Sequence, residues 1–482
     1  MSYGAIFYIL GWVLTFFGFM MLAPALLSWG YHDNHMFAFI NTLLATTFVG
    51  SLCIVLNRKA DRSLSHRDGF FLTLLTWLTL SLVGAAPLYF SGVVPSFIDA
   101  FFEAVSGLTT TGASVLSGLD TMDHGVLLWR SLMQWLGGMG IIVLAIAVLP
   151  FLGVGGMQLY KSEMPGVEAD KLQPRLRETA KMLWIVYLCI TVTCAACYSL
   201  AGMTTFDAIT HALTTAATGG YSTHDASFSY FDSVMIEGIC IFFMIVGAIN
   251  YSLHYLFLSG SGWRVYFSNI ELRTFLTIVF FAVTFIVLTL LASEYMGVED
   301  SIRRALFNVV SVVTTTGYAT ADYGAWPVFA SLVMLALMFI GGSTGSTAGG
   351  MKVMRIMLIV KQGAKELARL IHPRGISRIK IGTQNIPDHV MQAVWSFAGL
   401  YILIFILLSM AISSYGIDQI TAFSAAGATL TGLGPGLGEV GPSSNYGHLP
   451  DGVKLLLCLS MLLGRLEIFT ILVIFTPAFW KK

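Results

Sequence analysis

Four places in this 482-residue chain set small oxygen-bearing residues beside glycine: Thr110-Thr111-Gly112, Thr218-Gly219-Gly220, Thr315-Thr316-Gly317 and Leu430-Thr431-Gly432. Backbone carbonyls gathered into rings can replace the water shell of a bare alkali cation without adding a fixed charge. Glycine adopts positive φ freely, whereas a Cβ resists it. Gly112, Gly220, Gly317 and Gly432 are therefore placed to turn their neighbours' carbonyls toward a shared axis, and Thr110, Thr218 and Thr315 add hydroxyl oxygens at its inner end. A single Thr-x-Gly tripeptide means little in a chain with 48 glycines. The signal is the repetition.

The copies are longer than the tripeptides, and fixed-period self-similarity reveals architecture. The stretch from Asp99 to Ser114 aligns without gaps to that from Asp207 to Ser222, and a third copy runs from Arg304 to Ala319. A looser fourth starts at Asp418 and reaches Leu430-Thr431-Gly432-Leu433-Gly434, with one residue more between acid and glycine. Each copy reads as a helix of about ten residues, too short to cross a bilayer, then an irregular Thr/Gly segment, then an ascent into the next apolar stretch. Irregular backbone at membrane depth persists only where it lines water or is wrapped in protein, so the four segments are expected to converge on one aqueous path. The C-terminal ends of the short helices face the segments, and that end of a helix dipole favours a cation.

The elements that must position these segments are membrane helices. Apolar residues make up 56% of the chain and charged ones 11%, more hydrophobic surface than a soluble core hides. Ten stretches approach the 20 or so apolar residues that a spanning helix needs: 4–30, 37–56, 70–92, 125–152, 182–202, 233–258, 271–293, 327–360, 389–413 and 453–479. The expected fold is an all-α integral membrane protein: four tandem helix, pore loop, helix repeats around one pore, plus two extra N-terminal transmembrane helices. The divisions are 1–68 for the N-terminal pair, 69–156 for the first repeat, 157–258 for a linker and the second, 259–360 for the third, and 361–482 for a linker and the fourth. The first stretch lacks a basic leader and a small-residue cleavage site, and reads as a retained helix.

Net charge is zero, with 26 basic and 26 acidic residues, but the signs are segregated. Arg58, Lys59, Arg62 and Arg67, then Lys161, Lys171, Arg175 and Arg177, then Lys361, Lys365, Arg369, Arg374, Arg378 and Lys380 fall in alternate loops. Basic loops face the cytoplasm, which puts both termini there, with Lys481 and Lys482. The other loops carry Asp99, Asp120, Asp123, Asp207, Asp225, Asp232, Glu299, Asp300, Asp322, Asp418 and Glu439, either a mouth that concentrates cations or simple topology bias. The six cysteines lie in apolar stretches without metal-ligand spacing.

Below the segments, the eighth stretch contains Gly341, Gly342, Ser343, Thr344, Gly345, Ser346, Thr347, Ala348, Gly349 and Gly350. Each glycine weakens a helix by about 1 kcal/mol relative to alanine, so an unwound, mobile gate is expected there. A phosphate-cradling loop lacks its Gly-Lys-Ser/Thr ending; close helix packing through small residues is the other alternative. Arg465 lies in the last apolar stretch, where an ionisable group is costly. It is either a positive charge in the ion path or a structural arginine on the carbonyls of the unwound loop, and both roles are compatible. Gln134, Asn250, Tyr251 and His254 are expected to pack, and His211 to hydrogen-bond within its own short helix.

The segments Thr109-Thr-Thr-Gly-Ala-Ser, Ala217-Thr-Gly-Gly-Tyr-Ser, Thr314-Thr-Thr-Gly-Tyr-Ala and Thr429-Leu-Thr-Gly-Leu-Gly, with Gln134-Trp-Leu-Gly-Gly-Met-Gly140, resemble those of the Trk/Ktr/HKT superfamily of potassium transporters, over essentially the whole chain. The resemblance implies potassium uptake through one selectivity filter, an intramembrane loop beneath it, a homodimer, and a cytoplasmic nucleotide-binding ring (TrkA-like) that operates the gate. Linkers 157–181 and 361–388 would dock that ring. No nucleotide site is visible in this chain, so ATP, ADP or NAD would act through the partner. In that superfamily a serine at the first filter glycine goes with sodium; Gly112 therefore points to potassium. A symporter coupled to protons or sodium is the competing reading. An intramembrane enzyme is disfavoured, because no metal-ligand cluster or paired base and nucleophile shares one depth.

Overall fold

The computed structural model describes residues 1–61, 64–147, 172–373, 379–382 and 384–481. Among them all regular structure is helical, apart from a two-residue antiparallel pairing of Lys380–Ile381 with Gln384–Asn385. The N-terminal part comprises α1 (Tyr3–Met20), α2 (Leu22–Gly30) and α3 (Met36–Leu56). Then come α4 (His66–Phe90), α5 (Phe97–Leu108), α6 (His124–Ala147), α7 (Leu172–Leu200), α8 (Thr205–Ala216), α9 (Val234–Ala248) and α10 (Tyr251–Leu256). The rest consists mainly of α11 (Ile270–Ala292), α12 (Val298–Val313), α13 (Val328–Leu337), α14 (Val353–Ile371), α15 (Asp388–Ser413), α16 (Gln419–Thr431), α17 (Asp451–Arg465) and α18 (Ile468–Leu472).

Among the described residues six helical stretches are long and apolar enough to cross a membrane, or up to eight if each of two bent pairs counts as one span. The long helices turn large apolar side chains outward, among them Phe48, Leu56, Phe280, Phe281 and Met410, as a hydrocarbon solvent requires. The four short helices α5, α8, α12 and α16 are nearly enclosed by the others; Ala104, Val105, Ala212, Val309, Val312, Ala425 and Ala428 are all buried. Their starts are fixed locally. Ser96, Thr204 and Asp418 each accept a hydrogen bond from the backbone N–H three residues on, which satisfies one of the free donors of a helix start.

Three of the expected spans are not continuous. The stretch 327–360 is helical only over α13, unwinds, and restarts as α14 after Lys352 at φ 72°. The stretch 233–258 turns by 98° between α9 and α10, and 453–479 turns by 113° between α17 and α18. Polar residues make these breaks. Asn250 Oδ1 accepts from the N–H of Ser252 at 2.8 Å, capping the restart at α10, and His254 Nε2 lies 3.0 Å from the Val246 carbonyl across the same bend. Glu467, at φ 58°, begins α18 and pairs with Arg355 at 2.6 Å. Asn250 and His254 thus shape the backbone and do more than fill space. The end of the 125–152 stretch, most of the 157–181 linker, and Arg62, Arg374 and Arg378 lie outside the described residues.

Candidate functional site

Each short helix ends in the same hydrogen bond, which brings the following segment into register. The N–H groups of Thr111, Gly219, Thr316 and Leu433 donate to the carbonyls of Ser106, Thr214, Ser311 and Ala428 at 2.8 to 2.9 Å. Positive φ then alternates along each segment: Thr110 and Gly112, Thr218 and Gly220, Thr315 and Gly317, Gly432 and Gly434. The fourth segment is therefore Gly432-Leu433-Gly434. Leu430 and Thr431 belong to the last turn of α16, Gly432 is the counterpart of Thr110, and Gly434, not Gly432, is the counterpart of Gly112. The expected register is two residues off because Asp418 caps α16 from outside its first turn, as Ser96 and Thr204 cap theirs, whereas Asp99 and Asp207 sit three residues further in.

The glycines report how the segments meet. A Cβ on Gly112 would overlap the carbonyl oxygen of Gly219, one on Gly220 that of Thr316, one on Gly317 that of Leu433, and one on Gly434 would lie 2.6 Å from that of Thr111. The relation runs from the first segment to the second, third and fourth and back to the first. It is a closed cycle, with the carbonyls of Thr111, Gly219, Thr316 and Leu433 at equivalent positions. Any side chain larger than hydrogen at the four glycines would force neighbours apart.

Side chains behind the segments hold them from outside the cycle. Thr109 and Thr111 hydroxyls lie 2.8 Å apart, as do those of Thr314 and Thr316. Gln134 Nε2 donates to the Gly219 carbonyl at 2.6 Å, and its Oε1 accepts from the N–H of Tyr221 at 3.1 Å; this side chain is a brace and not filler. Glu103 and Arg130, both buried, pair at 2.7 Å. Arg130 also donates to the Ser222 carbonyl at 3.3 Å and to Ser114 Oγ at 3.1 Å, while the N–H of Val115 donates to Glu103 at 3.0 Å. The pair thus ties α5 and α6 to the first two segments. Sequence reasoning singled out Arg465 as an ionisable residue in an apolar stretch and passed over Arg130, which carries the same signal.

The stretch 338–352 lies directly against the starts of the second and third segments and the end of α16 that leads into the fourth. Thr347 Oγ1 accepts from Thr218 Oγ1 at 3.2 Å and donates to the Ala216 and Gly247 carbonyls at 3.2 and 3.0 Å. The N–H of Gly349 donates to Thr315 Oγ1 at 2.6 Å, and that of Gly350 to the Thr431 carbonyl at 2.8 Å. On the other side, the N–H of Ser343 donates to the Ala248 carbonyl at 2.9 Å, that of Tyr251 to the Gly345 carbonyl at 3.1 Å, and that of Val353 to the Gly342 carbonyl at 3.1 Å. Thr344 donates twice to Glu271 Oε1, from its N–H at 2.8 Å and its hydroxyl at 3.1 Å, and Ser346 Oγ closes a turn onto the Ser343 carbonyl at 2.6 Å. Gly341, Gly345 and Gly350 have positive φ. The stretch is unwound, as its glycines predict, yet richly bonded.

Arg465 reaches the same stretch. Its Nη1 donates to the Thr347 carbonyl at 2.8 Å and its Nη2 to the Gly137 carbonyl at 3.2 Å. This is the geometry of an arginine held between one carbonyl of the unwound loop and one of α6. Gly464 beside it packs against the Leu430 carbonyl as Gly137 packs against that of Leu108, which makes these two glycines counterparts.

At the opposite end several of the acids are engaged. Asp99 pairs with Lys454 at 2.5 Å, and Glu237 with Arg303 at 2.8 Å. His224 Nδ1 lies 2.6 Å from Asp120, its Nε2 lies 3.4 Å from Asp207, and its ring stacks on Tyr230. Burial works against the imidazolium, but the contacts and negative charges of Asp207 and Asp120 together outweigh it and raise the His224 pKa above 6.5. His211 hydrogen-bonds to the Asp207 carbonyl at 2.9 Å within α8, and its other nitrogen lies 3.0 Å from Ser222 Oγ.

A family model described as TrkH, cation transport protein, matches residues 35–482. The chain belongs to the TrkH family. It is 47% identical over 487 residues to the Trk system potassium uptake protein TrkH of Halomonas elongata, and 45% identical over 485 residues to the protein of that name from Escherichia coli K12; both matches cover 100% of each chain. The crystal structure of the potassium transporter TrkH from Vibrio parahaemolyticus superposes with a TM-score of 0.93 at 44% identity, again over 100% of both chains. With its apolar helices, this TrkH-family chain is a multi-pass membrane protein, and its relatives are transporters, not enzymes.

Proposed function

We propose that this chain takes up potassium across the cytoplasmic membrane through one ion path, formed by four helix, pore loop, helix repeats, with α1 to α3 as an N-terminal addition. The observation that carries this reading is the closed cycle of glycines and carbonyls. Four carbonyls from unlike segments at equivalent positions are what a bare cation needs in place of water, and the relatives at 45 to 47% identity carry the name of potassium uptake proteins. The cargo would rest against the carbonyls of Thr110 and Thr111, Thr218 and Gly219, Thr315 and Thr316, and Gly432 and Leu433. Flow would be passive. The 338–352 stretch, pinned by Arg465, would close the inner end, under the control of a TrkA-like cytoplasmic ring that binds the nucleotide, docked on a homodimer whose termini face the cytoplasm.

The test is flux of potassium, rubidium and sodium into proteoliposomes holding the purified protein. Potassium and rubidium should pass and sodium should lag, with a reversal potential that follows potassium alone. Equal sodium flux would reject a potassium filter, and a reversal potential that moves with pH would replace the channel by coupled transport.

A further inference from the structure

The first and third segments are braced by their own hydroxyls, Thr109 with Thr111 and Thr314 with Thr316. The second has Ala217 and Gly219 at those two places and lacks both hydroxyls. Its brace comes from another element. A Cβ on Gly219 would overlap Cδ and Oε1 of Gln134, so the glutamine of α6 occupies the volume where a threonine side chain would begin. Gln134 is wholly buried. Its carboxamide is both donor and acceptor, and it uses both functions on one segment, gripping a carbonyl and an N–H two residues apart as a neighbouring strand would.

We propose that Gln134 is a specificity-determining positioning residue: its carboxamide stands in for the threonine missing at 219 and sets the angle of the Gly219 carbonyl. The inference rests on the ion path proposed above. Gly219 is one of the four equivalent carbonyls, and its oxygen also abuts Gly112. A carbonyl oxygen has two lone pairs, and here one is committed to the Gln134 amide, leaving the other for the cation. Rotating that carbonyl would change the spacing of the set and shift the balance between ions of different radius. The missing threonine and the glutamine are then two halves of one feature, coupled although they are far apart in sequence.

The test is the bi-ionic potassium-to-sodium permeability ratio of the full-length protein in liposomes. Gln134→Glu keeps the shape and the acceptor for Tyr221 but turns an acceptor against the Gly219 oxygen; Gln134→Ala removes the brace. Each should lower the ratio about fivefold, the factor carried by one ordinary hydrogen bond. Gly219→Thr alone should lower it too, by collision with Gln134. The double variant Gln134→Ala/Gly219→Thr should recover the ratio to within about twofold of the starting protein, because the threonine enters the vacated volume. Should the alanine variant fail to assemble, the isosteric Gln134→Glu carries the measurement. An unchanged ratio in well-folded single variants, or a double variant no better than its worse parent, overturns the inference. A starting protein that does not discriminate the two ions instead overturns the proposed filter.

Discussion

Arg465 Nη1 and the Thr347 carbonyl are joined at 2.8 Å across 118 positions of sequence, so the last long helix holds the unwound stretch that bonds to the ends of the second, third and fourth segments. Hydrogen bonds to charged groups contribute about 1.5–3 kcal/mol, enough to keep a loop in one place. Arg465→Ala should therefore raise rubidium uptake on the order of tenfold or more, given a factor of ten per 1.4 kcal/mol. Proteoliposome uptake with matched protein loading reads this directly; equal or lower uptake in folded protein removes Arg465 from any gate.

Gly112 has φ 83°, and a Cβ there would run into the Gly219 oxygen. Gly112→Ser combines backbone strain, about 1–3 kcal/mol at such an angle, with displacement of one of the four equivalent carbonyls. Potassium over sodium selectivity should fall, chiefly through a gain in sodium permeation. Competition of sodium with rubidium uptake checks it, and a variant that excludes sodium as the parent does would disconnect the cycle from selectivity.

Glu103 and Arg130 form a buried ion pair at 2.7 Å. Removing one partner strands the other charge, which costs about 3–5 kcal/mol, while replacing both by apolar residues costs far less. Glu103→Leu should lower the thermal midpoint in detergent more than Glu103→Leu/Arg130→Met does. A double variant as unstable as the single one would show that the polar contacts to Ser114 and Ser222, and not the charge pairing, hold these segments.

His224 gives the end opposite the 338–352 stretch a pH dependence whose sign follows from its partners. Its folded pKa is raised above 6.5, so its stabilising contribution is complete below 6.5 and is lost as pH climbs through the raised value. Asp120 is lowered below 3.8: burial acts to raise it, but the His224 hydrogen bond, the Asp225 N–H and the His224 charge together outweigh burial; its contribution holds above 3.8 and is lost as pH falls through the lowered value. The midpoint difference between the parent and His224→Gln should thus be largest between about pH 4 and 6.5 and shrink in alkaline buffer. A difference that grows with pH would reverse the assignment.

The short helices, their Thr/Gly endings and the unwound 338–352 stretch were legible in the sequence, because repetition and glycine clustering are local signals. The register of the fourth segment was not. An acid marks a helix start whether it caps from outside, like Asp418, or sits in the first turn, like Asp99 and Asp207, since both positions favour negative charge. Aligning acid with acid therefore slides the copy; only the dihedral angles of Gly432 and Gly434 fix it. The bends at Asn250 and Glu467 were missed because the flanking residues are apolar enough for one span. Gln134 reads as a packing residue in the sequence because the groups it grips, the Gly219 carbonyl and the Tyr221 N–H, are backbone atoms that no side-chain pattern announces; Glu103 was missed because its partner Arg130 lies 27 positions away on another helix.

The carbonyls of Thr111, Gly219, Thr316 and Leu433 belong to a single polypeptide. In an assembly of four identical chains, any change at that level would be made in every quadrant at once; here it is made in one. Mutational dose is quartered, which leaves room for drift. Ala217, Gly219, Leu433 and Pro435, each unlike its counterparts in the first and third segments, are the visible trace of that freedom.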